Sequence, residues 1–284
     1  MTTPSRDEQH AAPPPTAPEQ LLELAGDFSR HNDALTALTA IGPSATSNVL
    51  QHVAFTQSLA RETLATIAVI KQQPLHHTHQ VQDTLVRLKQ LAYLTTEAAD
   101  HLLDAVDLLR AAREQGAGSP DQLAAHPEPL RAASRRIQLA RELTALAPEA
   151  IVEAAEHIAR ESHRQKAAEP HPQEIRLSPA QYTALRAAAS GHVLATDLFG
   201  KQSASIRSTR VPISTLRSLQ AKRLLQHEML PPAHRDAAHQ SRIRLSPAGI
   251  TELAALLSRP RPAPQTTKGA LQPAPAKPAP SRTR

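Results

Sequence analysis

The chain has 284 residues, of which 40% are hydrophobic and 2% aromatic; it has no cysteine, and its formal net charge is +6. Without cysteine, the sequence can form no disulfide, no cysteine-ligated zinc site and no thiol nucleophile. The scarcity of aromatic residues argues against a β-sandwich or an α/β enzyme core, and the abundance of alanine and leucine favours helices. A mainly α fold is therefore expected.

The first 18 residues are polar and proline-rich, with three consecutive prolines at 13–15. Such a composition predicts a disordered leader, and the missing apolar run excludes a signal peptide. The longest largely apolar stretch, Leu64–Ile70, is too short to cross a bilayer. We therefore expect a cytoplasmic protein with no membrane partner.

Residues 19–166 are predicted to form helices. The first two run from about Glu19 to Ala40 and from about Ser44 to Gln72, and Gly42-Pro43 separates them. A third runs from about His76 to Glu114. After a linker at Gly116–Pro129, a further helical stretch, Leu130–Lys166, is expected to break or bend at Pro148.

The third helix carries apolar or small residues at alternating spacings of four and three. These seam residues are Val81, Leu85, Leu88, Ala92, Thr95, Ala99, Leu102, Val106 and Leu109. A sustained heptad seam packs long antiparallel helices or joins two chains. Residues 19–166 are therefore predicted to be an antiparallel helical bundle or coiled coil for oligomerisation or partner binding. The seam Val81–Leu109 predicts a homodimer, unless the Ser44–Gln72 helix covers it within the chain.

Charge is divided unevenly along the sequence. Residues 1–173 carry a net charge of −6, residues 174–258 carry 11 basic and 5 acidic side chains, and residues 259–284 carry 6 basic and none acidic. A basic end is where a polyanion would bind. The tail, 259–284, is also rich in proline and alanine, which predicts disorder. Its charge could equally serve only to keep it solvated.

A hexapeptide, Ile-Arg-Leu-Ser-Pro-Ala, occurs at Ile175–Ala180 and again at Ile243–Ala248. Each copy reads as a strand end running into a helix, with Ser178 and Ser246 as N-caps and a proline at the first helical position. Gln181 completes a capping box in the first copy, whereas Gly249 does not in the second. Both copies therefore predict helix starts.

Between and after these copies, a small α+β unit is predicted over residues 174–258. Its elements, in chain order, are a helix at Ser178–Ser190, a hairpin of His192–Asp197 with Lys201–Ser208, a helix at Ile213–Lys222, strands at Leu224–Met229 and Ser241–Leu245 joined by a polar loop, and a helix at Ser246–Leu257.

This order resembles the winged-helix domain of bacterial regulators of the MarR and PadR type. The matching phrases are Leu177-Ser178-Pro179, the stretch Leu219–Leu225 at the end of the second helix, and the stretch Leu245–Gly249. The resemblance implies that helix Ile213–Lys222 is a DNA recognition helix. Two departures stand out: Arg223 replaces the family's usual glycine, and residues His192–Arg210 form a hairpin where a scaffold helix is usual.

The resemblance and the charge together predict binding of double-stranded DNA and a role in transcription regulation. Side chains expected to project from the recognition helix are Ser214, Thr215, Arg217 and Ser218; those expected to meet phosphates are Arg207 and Arg210 before the helix and Arg235, Arg242 and Arg244 on the wing. The alternative is a non-enzymatic scaffold protein whose winged helix docks another protein.

Patterns typical of enzymes are not found in the sequence. It contains no Gly-x-Ser-x-Gly and no His-Glu-x-x-His phrase. We therefore expect no catalytic residue, no cofactor and no metal site.

Overall fold

The computed structural model describes residues 14–76, 78–115, 127–165, 177–198, 201–207, 209–230 and 239–259. The helices of the first half are α1 Ala17–Ala37, α2 Ala45–Gln72, α3 His79–Gln115, α4 Pro127–Thr144 and α5 Ala147–Gln165. The elements of the second half are α6 Pro179–Ala189, β1 Val193–Leu198, β2 Lys201–Ile206, β3 Thr209–Arg210, α7 Ile213–Ala221, β4 Leu225–Met229, β5 His239–Leu245 and α8 Pro247–Leu257. The fold is mainly α with a small antiparallel sheet in the C-terminal part, as the sequence predicts.

Several predicted segments fall outside the described residues. These are most of the leader, the linker at 167–172, the strand end of the first hexapeptide copy, most of the loop between β4 and β5, which includes Arg235, and the tail from residue 260 onward. Of the predicted linker Gly116–Pro129, residues 116–126 also lie outside the described residues, and the last three residues belong to α4 instead.

Helix boundaries differ from the predictions where a cap or a proline decides them. Thr16 and Glu19 form a capping box, so α1 begins at Ala17 and includes the last residues of the predicted leader. The predicted helix Leu130–Lys166 is two helices, and the break lies before Pro148 rather than at it. Pro148 occupies the first turn of α5, where its missing N–H removes no hydrogen bond.

The heptad seam of α3 is buried inside the helical half. All nine seam residues are at most 6% exposed, and α3 packs along both α2 and α4. The seam therefore has apolar partners within the chain, in α2 and α4, which is the alternative that the sequence left open; association of two chains stays a prediction.

One hydrophobic core runs through both halves of the chain. It contains Leu21, Leu22 and Phe28 of α1 together with Leu245 of β5 and Leu253 of α8. A second, smaller core lies at the far end of the bundle, between parts of α1, α2, α3 and α4. The predicted boundary between residues 166 and 174 therefore separates two segments that share a hydrophobic core.

The sheet has the strand order β3-β2-β1-β5-β4, with every pair antiparallel. The predicted hairpin of β1 and β2 is present, and β5 lies between β1 and β4. Side chains alternate between two faces along each strand. Val193, Ile206 and Ile243 share the face that packs under α7, and Arg242 and Arg244 lie on the opposite face, towards α1.

Candidate functional site

Helix α7 presents a polar side to solvent and packs its apolar side on the sheet. Leu216 and Leu219 are 2% and 0% exposed, whereas Ser214 and Arg217 are exposed. This is the arrangement expected from their spacing. Thr215 and Ser218 are only half-exposed. The four residues predicted on this helix are thus not equally available.

Two hydrogen bonds hold the polar side of α7 in place. Arg217 Nη2 donates to Gln202 Oε1 on β2 over 3.2 Å, and Gln181 Nε2 of α6 donates to Ser218 Oγ over 2.9 Å. Gln181 also forms the predicted capping box with Ser178, so one side chain both starts α6 and fixes α7. Ser218 Oγ therefore already accepts one hydrogen bond within the protein, and Arg217 donates to a neutral partner that it can exchange for another acceptor.

The second hexapeptide copy contacts the residues that follow the C-terminal end of α7. Ser246 Oγ donates to the carbonyl of Arg223 over 2.5 Å and accepts from the N–H of Gly249 over 3.0 Å. A Cβ on Gly249 would lie 2.0 Å from the carbonyl oxygen of Leu224, so no larger residue fits there. Arg223 has a φ of 57°, which is the left-handed conformation that its place after the helix predicts.

The two arginines that precede α7 differ in their surroundings. Arg207 Nη2 lies 2.5 Å from Glu149 Oε2 of α5, and its side chain is 60% exposed. Arg210 is exposed on β3, the edge strand, and no carboxylate within the described ranges pairs with it. Arg210 is therefore free for a phosphate, and Arg207 is available only at the expense of a surface ion pair.

Arg242 and Arg244 do not lie free on the β4–β5 hairpin, and this corrects their predicted placement. Arg242 Nε donates to Asp33 Oδ2 over 3.0 Å, its Nη2 contacts Asp33 Oδ1, and its Nη1 donates to the carbonyl of Gly191 over 2.7 Å. Arg244 Nη2 donates to Asp33 Oδ2 over 2.7 Å, and its Nε lies 2.6 Å from Glu228 Oε2. These arginines join the sheet to α1.

Burial makes this junction electrostatically demanding. The side chains of Arg244 and Asp33 are 3% and 13% exposed. Burial lowers the pKa of the Arg244 guanidinium, and the carboxylates of Glu228 and Asp33 oppose that shift. Arg242 and Arg244 therefore share the Asp33 carboxylate of the helical half, and Glu228 of β4 gives Arg244 a second counter-charge.

Sequence reasoning missed the helical half's contribution to this junction. Asp33 is 209 residues from Arg242, and Ser29 on the next turn of α1 lies against Gly191. Nothing in the local sequence of α1 distinguishes Asp33 from a solvated acid. Only the uneven charge of the two halves hinted that they could pair.

Neither a metal cluster nor a membrane helix is found where the structure describes the chain. His79 Nδ1 lies 2.9 Å from Asp83 Oδ2, but no group of three or more potential ligands is placed for a metal ion within those ranges. None of the described helices combines the length and the apolar character needed to cross a membrane.

Comparison of the chain with protein-family models, with curated proteins and with solved structures gives no match in any of the three. The functional conclusion consequently rests on the geometry and charge of the chain itself.

Proposed function

We propose that the protein binds double-stranded DNA through α7 and the neighbouring strand β3, in the manner of a winged-helix regulator. The order α6, α7, hairpin β4–β5 and α8 is the order of that domain. The observation that carries the proposal is the exposed side of α7, on which Arg217 and Ser214 lie three residues apart.

The dimensions of α7 suit a groove. This 9-residue helix has, with its side chains, the usual diameter of about 10–12 Å. The major groove is about 12 Å wide and admits a helix, and an arginine there binds guanine through two hydrogen bonds. Because Gln202 is neutral, Arg217 can exchange it for a base without leaving a carboxylate unpaired.

The neighbouring arginines supply the phosphate contacts. Arg210 is exposed beside α7. Arg207 can add a contact, because an exposed ion pair such as the one with Glu149 contributes only about 0–1 kcal/mol. Arg242 and Arg244 do not belong to the proposed interface, because they pair with Asp33 on the opposite face of the sheet. The proposed interface is thus narrower than the sequence suggested: Arg210, Ser214 and Arg217, with Arg207 at its margin.

The alternative is a scaffold protein in which the same unit docks another protein. Three features favour this scaffold function. Thr215 is half-buried, Ser218 already accepts a hydrogen bond from Gln181, and a hairpin stands where a winged-helix domain usually has a scaffold helix. The two functions differ in their response to salt, because DNA binding releases counterions and weakens steeply as salt rises.

The test uses the full-length chain. A preferred duplex is selected from a random library, and binding to it and to a scrambled duplex is titrated at several salt concentrations. Arg217→Gln should weaken binding of the preferred duplex by about 1–3 kcal/mol and weaken binding of the scrambled duplex less. Arg210→Gln should weaken both alike and lower the salt slope by about one unit.

The matched control is Arg110→Gln, which removes the same charge from α3, where Arg110 pairs with Asp107 at the surface. It should leave duplex binding unchanged. If the full chain retains no duplex at low salt and micromolar concentration, DNA binding is refuted and the scaffold function remains.

A further inference from the structure

The two edges of the sheet differ in how well they are protected against another strand. The edge strand β3 has only 2 residues, and one of them is the charged Arg210. Short and charged edge strands discourage pairing. The other edge strand, β4, has 5 residues in unbroken register along β5, and none of them is a proline or a lysine. The β4 edge therefore lacks these usual safeguards.

Alternate residues of β4 turn their backbone groups away from the sheet. The N–H of Leu230 donates to the carbonyl of Gln240, so this pair is a hydrogen-bonded one. Hydrogen-bonded pairs alternate along an antiparallel ladder, and residues 226 and 228 therefore also direct their backbone groups to β5. The residues between them point outward, and no backbone group in the described ranges bonds to their outer side. These outward residues are Leu225, His227 and Met229.

The side chains of β4 lean towards the sheet and leave its outer edge accessible. His227 Nδ1 lies 3.0 Å from Ser241 Oγ of β5, and Glu228 Oε2 lies 2.6 Å from Arg244 Nε of the same strand. On the face that carries Glu228, a cavity of about 750 Å³ separates β4 from α2. None of the described helices packs along the outer edge, because α7 meets β4 from the face of the sheet.

The sequence of β4 is suited to pairing with a second copy of itself. In an antiparallel pair centred on His227, each outward residue meets an outward residue of the other copy, and each such pair exchanges both backbone hydrogen bonds. On the α7 face, Met229, which is 66% exposed, then covers the apolar Leu225 of the second copy. On the opposite face, Glu228 meets the neutral Gln226. The two strands are thus complementary in shape of the ladder and in charge.

Neighbouring registers are less favourable. A pair centred on Glu228 would place two carboxylates directly opposite each other, which destabilises a sheet. A pair centred on Gln226 would place Met229 opposite Arg223, whose φ of 57° does not belong to an extended strand. The register centred on His227 avoids both costs and pairs the whole strand.

We propose that two copies of the chain associate through β4 and join their two five-stranded sheets into one. The contact is isologous, with a two-fold axis at His227. Since that axis is perpendicular to the sheet, both copies of α7 lie on the same side of it. The edges that remain are the short β3 strands, so the assembly closes at two copies.

Association is measured on the full-length chain without DNA. Sedimentation equilibrium from about 1 to about 500 µM should show a reversible equilibrium between monomer and dimer, because a two-chain assembly depends on concentration. A strict monomer at every concentration overturns the proposal. Growth into larger open assemblies overturns it too, since a closed two-fold contact leaves no free β4 edge.

Hydrogen exchange locates the contact without any variant. In the dimer the amide protons of the outward residues, Leu225, His227 and Met229, become hydrogen-bonded. Their exchange should slow as the concentration rises. The amide protons of Gln226 and Glu228 are bonded to β5 in either state, and their exchange should stay slow throughout. Exchange of the three outward amides that does not change while the chain dimerises would show that the dimer uses another surface.

Two substitutions at Met229 test the edge directly. Met229→Pro removes an outward N–H and leaves the ladder to β5 intact, as proline on an edge strand allows. Met229→Lys places a charge at the edge and keeps the N–H. Each should raise the dissociation constant of the dimer at least about tenfold, because each change occurs twice in a symmetric contact. Thermal unfolding of the dilute monomer should be unchanged for Met229→Lys.

The matched control is Leu64→Lys, which replaces a 54% exposed apolar residue of α2 outside the sheet. It should leave the dissociation constant unchanged. A dimer that survives both substitutions at Met229, or one that Leu64→Lys weakens as much as Met229→Lys does, overturns association through β4. Because no DNA is present, either result would leave the proposed DNA binding to be decided by its own titration.

Discussion

At the scale of single residues, Asp33 is the carboxylate on which the junction between the halves depends. Asp33→Asn would leave the partly buried Arg242 without a counter-charge and the buried Arg244 with Glu228 alone. Breaking a buried pair from one side costs about 3–5 kcal/mol. We expect a loss of this size in the free energy of unfolding, measured by urea denaturation at neutral pH. The control is Asp27→Asn, which removes a more exposed pair with Arg30 and should cost about 0–1 kcal/mol. Equal losses would contradict the assignment.

Gly191 allows α1 to approach the turn after α6. Its φ is 69°, and a Cβ there would lie 1.8 Å from Ser29 Oγ. Gly191→Ala should therefore cost more than the about 1–2 kcal/mol of left-handed strain alone. Gly42→Ala, at a φ of 112°, introduces backbone strain without a clash, since nothing lies within 4 Å of its Cβ position. Combined with Gly191→Ala, Ser29→Gly should restore part of the lost free energy of unfolding, because it removes the side chain that clashes. Combined with Gly42→Ala, it should restore none, and a double-mutant cycle measures this difference.

We expect the buried His31 to make the stability of the protein sensitive to acid. Burial, with a smaller effect from His52, lowers the pKa of His31 to about 3 from its usual 6.5. Between these values the unfolded chain binds the extra proton, so stability is complete above pH 6.5 and declines as the pH falls towards 3. From pH 7 to 5 the contribution lost is about 2 kcal/mol. Urea denaturation at both pH values should show a smaller decline for His31→Gln; an unchanged decline would exclude His31 as a cause.

At the scale of elements, the seam of α3 tests how the bundle is held. Leu102 is 0% exposed and its neighbour Leu103 is 38% exposed. Leu102→Ala should cost about 2–5 kcal/mol through the lost burial and the cavity left behind, and Leu103→Ala much less. Light scattering should show the same association state for both variants, because the seam is filled within the chain. Dissociation of a dimer by Leu102→Ala alone would contradict this.

Elements specified by neighbouring residues were predictable, and pairings between distant elements were not. The capping box of Ser178 with Gln181 and the cap at Ser246 are confirmed, because an N-cap and its amide lie three residues apart. The heptad spacing gave the buried face of α3 but not its partner, since either a second chain or α2 would satisfy it. The break between α4 and α5 was misplaced because proline is compatible with a first helical turn as well as with a kink.

At the scale of the whole molecule, we expect the two halves to depend on each other for folding, because they share a core and the Asp33 junction. Cutting the chain before residue 174 would expose the apolar side chains that α8 and β5 share with α1, and would leave Arg242 and Arg244 without Asp33. We expect the fragment Glu174–Arg284 to lack the dispersed amide spectrum of the full chain. A well-dispersed spectrum from that fragment would show that the second half folds alone.

The candidate site was predicted only where it lies within one element. Arg217 and Ser214 follow from the spacing of Leu216 and Leu219 on α7. Arg242 and Arg244 were assigned to phosphates because their charge suits DNA. Their true partner is about two hundred residues away, and a sequence pattern holds no information on that pairing.

The central claim is that two arginines of the same charge have different roles: Arg217 contacts DNA, and Arg242 holds the two halves of the chain together. Duplex affinity and the free energy of unfolding should therefore be measured side by side for Arg217→Gln and Arg242→Gln in the full-length chain. We expect Arg217→Gln to lose duplex affinity at unchanged stability, and Arg242→Gln to lose stability while the molecules that remain folded bind the duplex normally. If Arg242→Gln instead lost affinity at unchanged stability, the assignment of the two arginines would be contradicted.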